Sequence, residues 1–207
     1  MYNRGVEKRP VFTNTHNLLR AVDLLRFYQF VKPPLRYSKY LALSRQDKES
    51  FLQNLHNKEK LVEIVAYCFM KNHFHLLIKQ LYVNGISQFM ANVTNSYTKY
   101  FNTKQKRVGP LFQGIFKAVW VEDEEQLLHL SRYIHLNPVT NYSITVSELK
   151  YYQWSSYPVY IGEQTTDFVE KDIVTDSFTK KFSYEDFVLD QVAYARELKK
   201  IEHLTLE

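Results

Sequence analysis

The sequence predicts an α+β domain: an antiparallel sheet with helices on one face, followed by a C-terminal helical tail. Three observations lead there. Two apolar runs, 61–70 and 73–80, are separated only by Lys71-Asn72, the length of a hairpin turn. Segments 14–30 and 86–102, one on each side of that pair, carry apolar residues at helical spacing. A third helical segment, 123–136, follows a strong break at Gly109-Pro110.

The first helix starts after the polar pair Asn14 and Thr15, lines up Leu18, Val22, Leu25 and Phe30, and stops at Pro33-Pro34. Residues 35–60 are polar and mixed, a loop with a short helix near 46–56. After the hairpin, Asn84-Gly85 precede a helix whose stripe is Ile86, Phe89, Met90, Val93, Tyr97, Tyr100 and Phe101. Residues 111–121 read as a further strand. Glu122, Asp123, Glu124 and Glu125 then place anions at a helix start, where the backbone dipole favours them. That helix is expected to end at Asn137-Pro138.

The order is helix, strand, strand, helix, strand, helix. With one strand ahead of the first helix, it becomes the split βαβ, ferredoxin-like plan. Only residues 1–4 precede the turn at Gly5, so this strand is short or truncated. Residues 151–162 form an aromatic connector that closes a domain over 1–162. Residues 163–207 are an acidic helical extension with a helix over 183–201. Ser183 is its N-cap, with Asp186 three residues on, and Phe187, Gln191, Tyr194, Leu198 and Ile201 form its stripe.

Composition narrows the class of function. A hydrophobic share of 45% supports a packed core. No apolar run reaches the length of a membrane span, and the N-terminus lacks the apolar stretch of a secretory leader. The single cysteine, Cys68, allows no internal disulfide, and the expected compartment is the cytoplasm. Charge is distributed unevenly. Residues 1–140 hold 20 basic against 10 acidic side chains, and residues 141–207 hold 7 against 12, behind the overall +5. No acidic residue lies between Glu63 and Glu122, an interval with seven cations. Such an interval attracts a polyphosphate.

Two groups of residues suggest chemistry. In His73-Phe74-His75, strand alternation sends both imidazoles to one face, a bidentate start for a divalent cation. On the helix 126–137, His129, Tyr133 and Asn137 recur at i, i+4 and i+8 on one stripe. Pattern alone does not select Tyr133 from the 16 tyrosines.

The run YCFMKNHFHLLI (67–78) resembles the HUH signature of the Y1 single-strand transposases. RVGPLFQGIFKAVWVEDEEQLLHLSRYIHLNPV (107–139) and YYQWSSYPVYIG (151–162) are similar to the REP-associated tyrosine transposase branch of the IS200/IS605-like family, and NRG (3–5) matches the turn after its first strand. The resemblance implies a ferredoxin-like core with the HUH strand at its centre and Tyr133 as the nucleophile. It also implies His73 and His75 as metal ligands, Asn137 as a third ligand, and Mg2+ or Mn2+ as the cofactor. The implied partner is single-stranded DNA carrying a hairpin (a palindromic repeat), handled by a monomer in preference to a homodimer. The implied reaction cleaves and rejoins that strand through a 5′-phosphotyrosine. Two positions depart from the family pattern: Ile115 stands where Arg is common, and Lys71 where Pro is common.

On this reading Lys99, Lys104, Lys106, Arg107 and Lys117 hold DNA phosphates, and Tyr97, Tyr100, Phe112 and Trp120 offer rings for stacking. His129 or His135 is the candidate proton shuttle. Two other functions compete. One is a non-catalytic module binding single-stranded DNA or RNA hairpins on the same fold. The other is a zinc hydrolase, for which the interval 64–121 supplies no carboxylate.

Overall fold

The hairpin read from the two apolar runs is the centre of the fold. In the computed structural model, which describes residues 1–179 and 182–201 with side chains as far as Glu197, β2 (Val62–Phe69) and β3 (His73–Gln80) pair antiparallel. β1 (Tyr2–Arg4) adds to the other edge of β3, so the strand order is β1-β3-β2. The turn at 71–72 is gripped by the segment after β1. Gly5 N–H donates to the Asn72 carbonyl at 2.8 Å, and Val11 and Phe12 N–H both donate to the Lys71 carbonyl at 2.9 Å. Only glycine fits at position 5, where a Cβ would lie 2.5 Å from the Arg9 carbonyl oxygen.

Alternation along the strands builds two cores. Phe74 and Leu76 of β3, with Val62, Ile64, Tyr67 and Phe69 of β2, face one side. A bulge between Ile64 and Ala66 turns both Val65 and Ala66 to the other side, beside Cys68 and Leu77. The first core is closed by α1 (Thr15–Tyr28) through Leu24 and Leu25, and by α4 (Gly85–Lys104) through Phe89, Met90 and Tyr97. The side chain of Asn14 caps α1, as its polar start predicted. Each fully buried Leu or Phe contributes on the order of 1.5–3 kcal/mol. This core, and not the three-residue β1, therefore holds the sheet together. α2 (Tyr37–Leu41), which the sequence reading did not separate from the loop, and α3 (Arg45–His56) cover α1 from outside through Tyr37 and Phe51.

α5 (Glu124–Thr140) lies across the opposite face, so helices cover both faces and not the single face expected, because Val65, Ala66, Cys68 and Leu77 make the second face apolar as well. Ile134, Leu136 and Val139 fill the second core with Val65 and Leu77, and the rest of the chain packs behind them. The helix α6 (Tyr157–Tyr160) contributes Tyr157 and Tyr160, α7 (Asp172–Thr175) contributes Val174, and α8 (Tyr184–Leu189) contributes Tyr184 and Val188. α9 (Val192–Ile201) lies against α5.

Three further expectations change. Residues 111–121 form no strand; single bridges join Phe112 to Gly5 and Lys117 to Tyr2, with Gly114 at a left-handed φ of 68° between them. A β1 of three residues offers too little edge for a longer partner. α5 does not stop at Asn137-Pro138 but continues to Thr140, because residues 134–140 are all buried and their packing outweighs the proline. The tail helix is broken at 190–191, although Ser183 and Asp186 form the predicted capping box. The break shifts the buried face to Tyr184 and Val188 and leaves Tyr194 exposed; the side chains of Leu198 and Ile201 lie outside the described residues. Among the described residues, no helix is long and apolar enough to cross a membrane.

Candidate active site

The face of the sheet not used by α1 and α4 is where the polar residues converge. His73 and His75 leave β3 on this face with ring centroids 5.1 Å apart and nearly perpendicular. Asn72 orients the first ring. Its Nδ2 donates to the Lys8 carbonyl at 2.9 Å, so its Oδ1, 2.7 Å from His73 Nδ1, can only accept. The His73 ring therefore donates from Nδ1, the tautomer that in a neutral imidazole carries its lone pair on Nε2.

β1 brings two further residues to the same face. Its register sets Arg4 opposite His73 and Tyr2 opposite His75. The Tyr2 ring lies 5.5 Å and 5.0 Å from the two imidazoles, and the Arg4 guanidinium lies 5.2 Å above that ring. Lys117 follows on the outer side of Tyr2, joined to it by two backbone hydrogen bonds of 2.9 Å.

α5 crosses above this row. Asp123 caps it, its side chain accepting from Gln126 N–H at 2.7 Å. Ten residues on, Tyr133 meets His75 edge to face, with centroids 5.4 Å apart and planes at 89°. Tyr133 remains 49% exposed, so a substrate can reach it. Asn137 stands one turn later; its Nδ2 donates to the Tyr133 carbonyl at 3.0 Å, and its Oδ1 accepts a long 3.2 Å bond from Asn141. That leaves one Oδ1 lone pair unused. Together these residues line an open cleft of about 440 Å³, walled by Met1, Val119, Leu130 and Ile134, with no carboxylate among the described residues of its lining.

Could the cleft hold a cation? Two imidazoles and an amide oxygen make three neutral donors. Among the described residues there is no cluster of three or more His, Cys, Asp or Glu side chains with metal-ligand spacing. Neutral donors alone leave a divalent charge uncompensated. The set fits a cation that is completed by an anionic substrate, with Arg4 and Lys117 at hand for the remaining negative charge.

The structure brings Tyr133, His73, His75, Asn137 and Lys117 together and sets the other candidates apart. His135 is a correction. It is fully buried, with Nδ1 2.7 Å from the Tyr184 hydroxyl and Nε2 2.7 Å from Ser156 Oγ, and burial pushes its pKa down to about 3. A ring enclosed on both nitrogens, two residues round the helix from Tyr133, shuttles no proton. His129 lies outside the cleft lining, between Glu125, Arg132 and Phe187. Lys104 bonds Asn17 and Tyr100, and Arg107 bonds Asn102 and the Pro110 carbonyl, while Lys99 and Lys106 are exposed on α4 and just after it. Of the proposed stacking rings, Tyr97 and Phe112 are core residues, Tyr100 donates to Asn17, and Trp120 stands exposed. Ile115 is exposed as well.

The sequence reading missed Tyr2, Arg4 and Asn72. A signal for the first two existed: when Tyr2-Asn3-Arg4 is laid antiparallel to His73-Phe74-His75, the alternating residues of both triplets fall on one face.

A family model described as "Transposase IS200 like" matches residues 28–137, a span that contains His73, His75, Tyr133 and Asn137. One solved structure, whose description is that of a REP-associated tyrosine transposase bound to a REP hairpin, is similar over 82% of this chain and 84% of its own, at 12% identity and a TM-score of 0.46. No curated protein matches the chain.

Proposed function

The chain belongs to the IS200-like transposase family, and from that premise we propose that it nicks and rejoins single-stranded DNA, with Tyr133 as the attacking group. The observation that carries this reading is the approach of an exposed phenol, on a separate helix, to within ring contact of His75 in a cleft with no carboxylate among its described residues. A zinc hydrolase that keeps both imidazoles as metal ligands needs a further base to activate water, and the described lining offers no carboxylate for it. A covalent mechanism takes its nucleophile from the protein, here the phenol.

The Tyr133 oxygen attacks phosphorus in line, a P–O bond forms, and the bond from phosphorus to the 3′-oxygen breaks. The phenolic proton ends, through solvent, on the released 3′-hydroxyl, and the 5′-phosphate stays on Tyr133. A 3′-hydroxyl attacking that phosphotyrosine reverses the step and joins strands, with no external energy source. His73, His75 and Asn137 would hold a divalent cation, Mg2+ or Mn2+. When bound, it supplies Lewis-acid polarisation of the phosphate and offsets charge on the leaving oxygen. The chain's own residues do the rest. Asn72 fixes the His73 tautomer, the Asn137 bond to the Tyr133 carbonyl ties the two residues on α5, and Leu130 and Ile134 give the phenol a dry side. The proposed substrate is a strand carrying a hairpin.

The test uses labelled single-stranded hairpin DNA and manganese, followed by denaturation and a search for label that migrates with the protein. An adduct that disappears in Tyr133→Phe, His73→Ala and His75→Ala is the expected result. An adduct that persists in Tyr133→Phe removes the nucleophile assignment. DNA binding that survives chelation, with no adduct under any condition, returns the protein to the non-catalytic binding module.

A further inference from the structure

We infer that Arg4, seconded by Lys117, forms a phosphate cradle on the β1 side of the cleft that holds the phosphodiester to be cut in front of Tyr133. The inference rests on the DNA-processing reading above and adds to it the group that positions the substrate.

Among the described residues Arg4 has no acidic partner. Three other guanidinium groups are paired with carboxylates, Arg9 with Glu7, Arg26 with Asp167 and Arg45 with Glu49, whereas Arg20 lies over the Tyr37 and Tyr100 rings and Arg107 bonds Asn102 and the Pro110 carbonyl. Arg4 lies over the Tyr2 ring, and its Nε is buried without a hydrogen-bond partner. Buried donors are nearly always satisfied; Arg26 and Arg196 share this state at Nε, and of the three Arg4 is the one that lines the cleft, where a ligand could satisfy it. Among the described residues no Asp or Glu lines the cleft to pair with it.

The ligand's chemistry follows from the neighbours. Arg4 faces His73 across the β1–β3 pairing, and Lys117 flanks the same strand through Tyr2. The two cations of this wall, Arg4 and Lys117, make a site for an anion. A guanidinium presents parallel N–H groups that match two oxygens of a tetrahedral phosphate. The Tyr2 ring lies under that guanidinium, and Tyr133 lines the same cleft. If Arg4 is instead a filler of the sheet edge, its removal affects all ligands alike.

The test is a coupling measurement between one side chain and one charge. Tyr133→Phe protein, which leaves DNA intact, is titrated by fluorescence anisotropy with manganese and a set of hairpin oligonucleotides. Each carries a single neutral methylphosphonate linkage at a different position around the hairpin foot. Adding Arg4→Gln is expected to weaken binding about ten- to a hundredfold, the span for a hydrogen bond to a charged group. On one member of the set that penalty should fall to within about twofold, and this member should carry the linkage that wild type joins to Tyr133. Should Arg4→Gln fold poorly, Arg4→Lys, which keeps the charge and loses the fork, should show a smaller penalty that vanishes at the same linkage. A penalty equal for every linkage, or no penalty, overturns the cradle while leaving the adduct result untouched. Coupling without any adduct keeps the cradle and removes the chemistry. A protein that binds none of the oligonucleotides loses both.

Discussion

His135 should make this fold sensitive to mild acid, and its contribution can be worked out. The ring is fully buried, bonded to Tyr184 and Ser156, and its pKa is lowered by desolvation from 6.5 to about 3. A depressed pKa means that the unfolded chain takes up a proton below about pH 6.5 while the folded chain refuses it. The stabilisation is thus complete above the unfolded value and is lost as pH falls from about 6.5 towards 3. Each pH unit in that window costs about 1.4 kcal/mol. At pH 5 the loss is about 2 kcal/mol relative to pH 7.5, or roughly 4–8 °C in Tm for a chain of this size.

Circular-dichroism melts at pH 7.5, 6 and 5 measure it. His135→Gln, which can still bond one neighbour, lowers Tm at every pH but should flatten the slope between pH 6.5 and 5 by about 2 kcal/mol. Every other side chain is common to both proteins, so the difference between slopes isolates His135. Parallel pH profiles for wild type and variant would refute the burial argument.

Other outcomes are equally open to measurement. Gly5→Ala places a methyl group 2.5 Å from the Arg9 carbonyl oxygen and 2.8 Å from Val11 Cγ1, and should lower stability in a denaturant titration by about 1–3 kcal/mol. Lys117→Ala should weaken single-stranded DNA binding and reduce the slope of log K against log salt by about 0.7. Lys104→Ala and Arg107→Ala should change it less, because their nitrogens are already bonded within the protein. Deleting residues 163–207 removes Tyr184 and Val188 from the second core and strips His135 of a partner. Loss of a cooperative melt is expected; a stable truncated protein with tighter DNA binding would instead mean that the tail is a cover for the basic surface.

Periodicity made the α1, β2, β3 and α4 segments legible because each buries one regular face, and that regularity is written in the spacing of apolar residues. What was not legible depended on partners distant in sequence. The run 111–121 looks like a strand locally, but the length of β1 limits its pairing, and its exposed Ile115 and Trp120 are strand-like residues on a loop. Pro138 is a stop signal by its own chemistry and fails as one because Val139 and Thr140 are buried. In the site, the shared face of His73 and His75 followed from alternation alone. Tyr133 needed the resemblance, since nothing local distinguishes it from Tyr142 or Tyr151. Arg4 and Tyr2 needed the register of β1 against β3, and His135 needed Tyr184, 49 residues away, to be recognised as structural.

The two roles of α5 depend on one another. Residues two apart on a helix point about 200° apart, so the stripe that turns Tyr133 to the cleft turns His135 into the protein. Tyr184 also donates to Ser131 Oγ at 3.0 Å, and Ser156 Oγ accepts from Tyr67 N–H at 2.9 Å, so the network at His135 runs from the C-terminal helices through α5 to β2. Displacing Tyr133 from His75 by a rigid shift of α5 would break those buried bonds, each on the order of 1–3 kcal/mol once a group is left unsatisfied. A swing of the Tyr133 side chain alone would break none of them. The separation of phenol and imidazole is therefore set by packing of α5 on the sheet of its own chain, and adjustment to a bound strand falls to the half-exposed side chain and the irregular segment carrying Lys117. Tyr184→Phe tests that division. It should lower stability while leaving the Tyr133 adduct rate at low temperature within a few fold, whereas a large rate loss in a protein still folded would show that the network itself places the phenol.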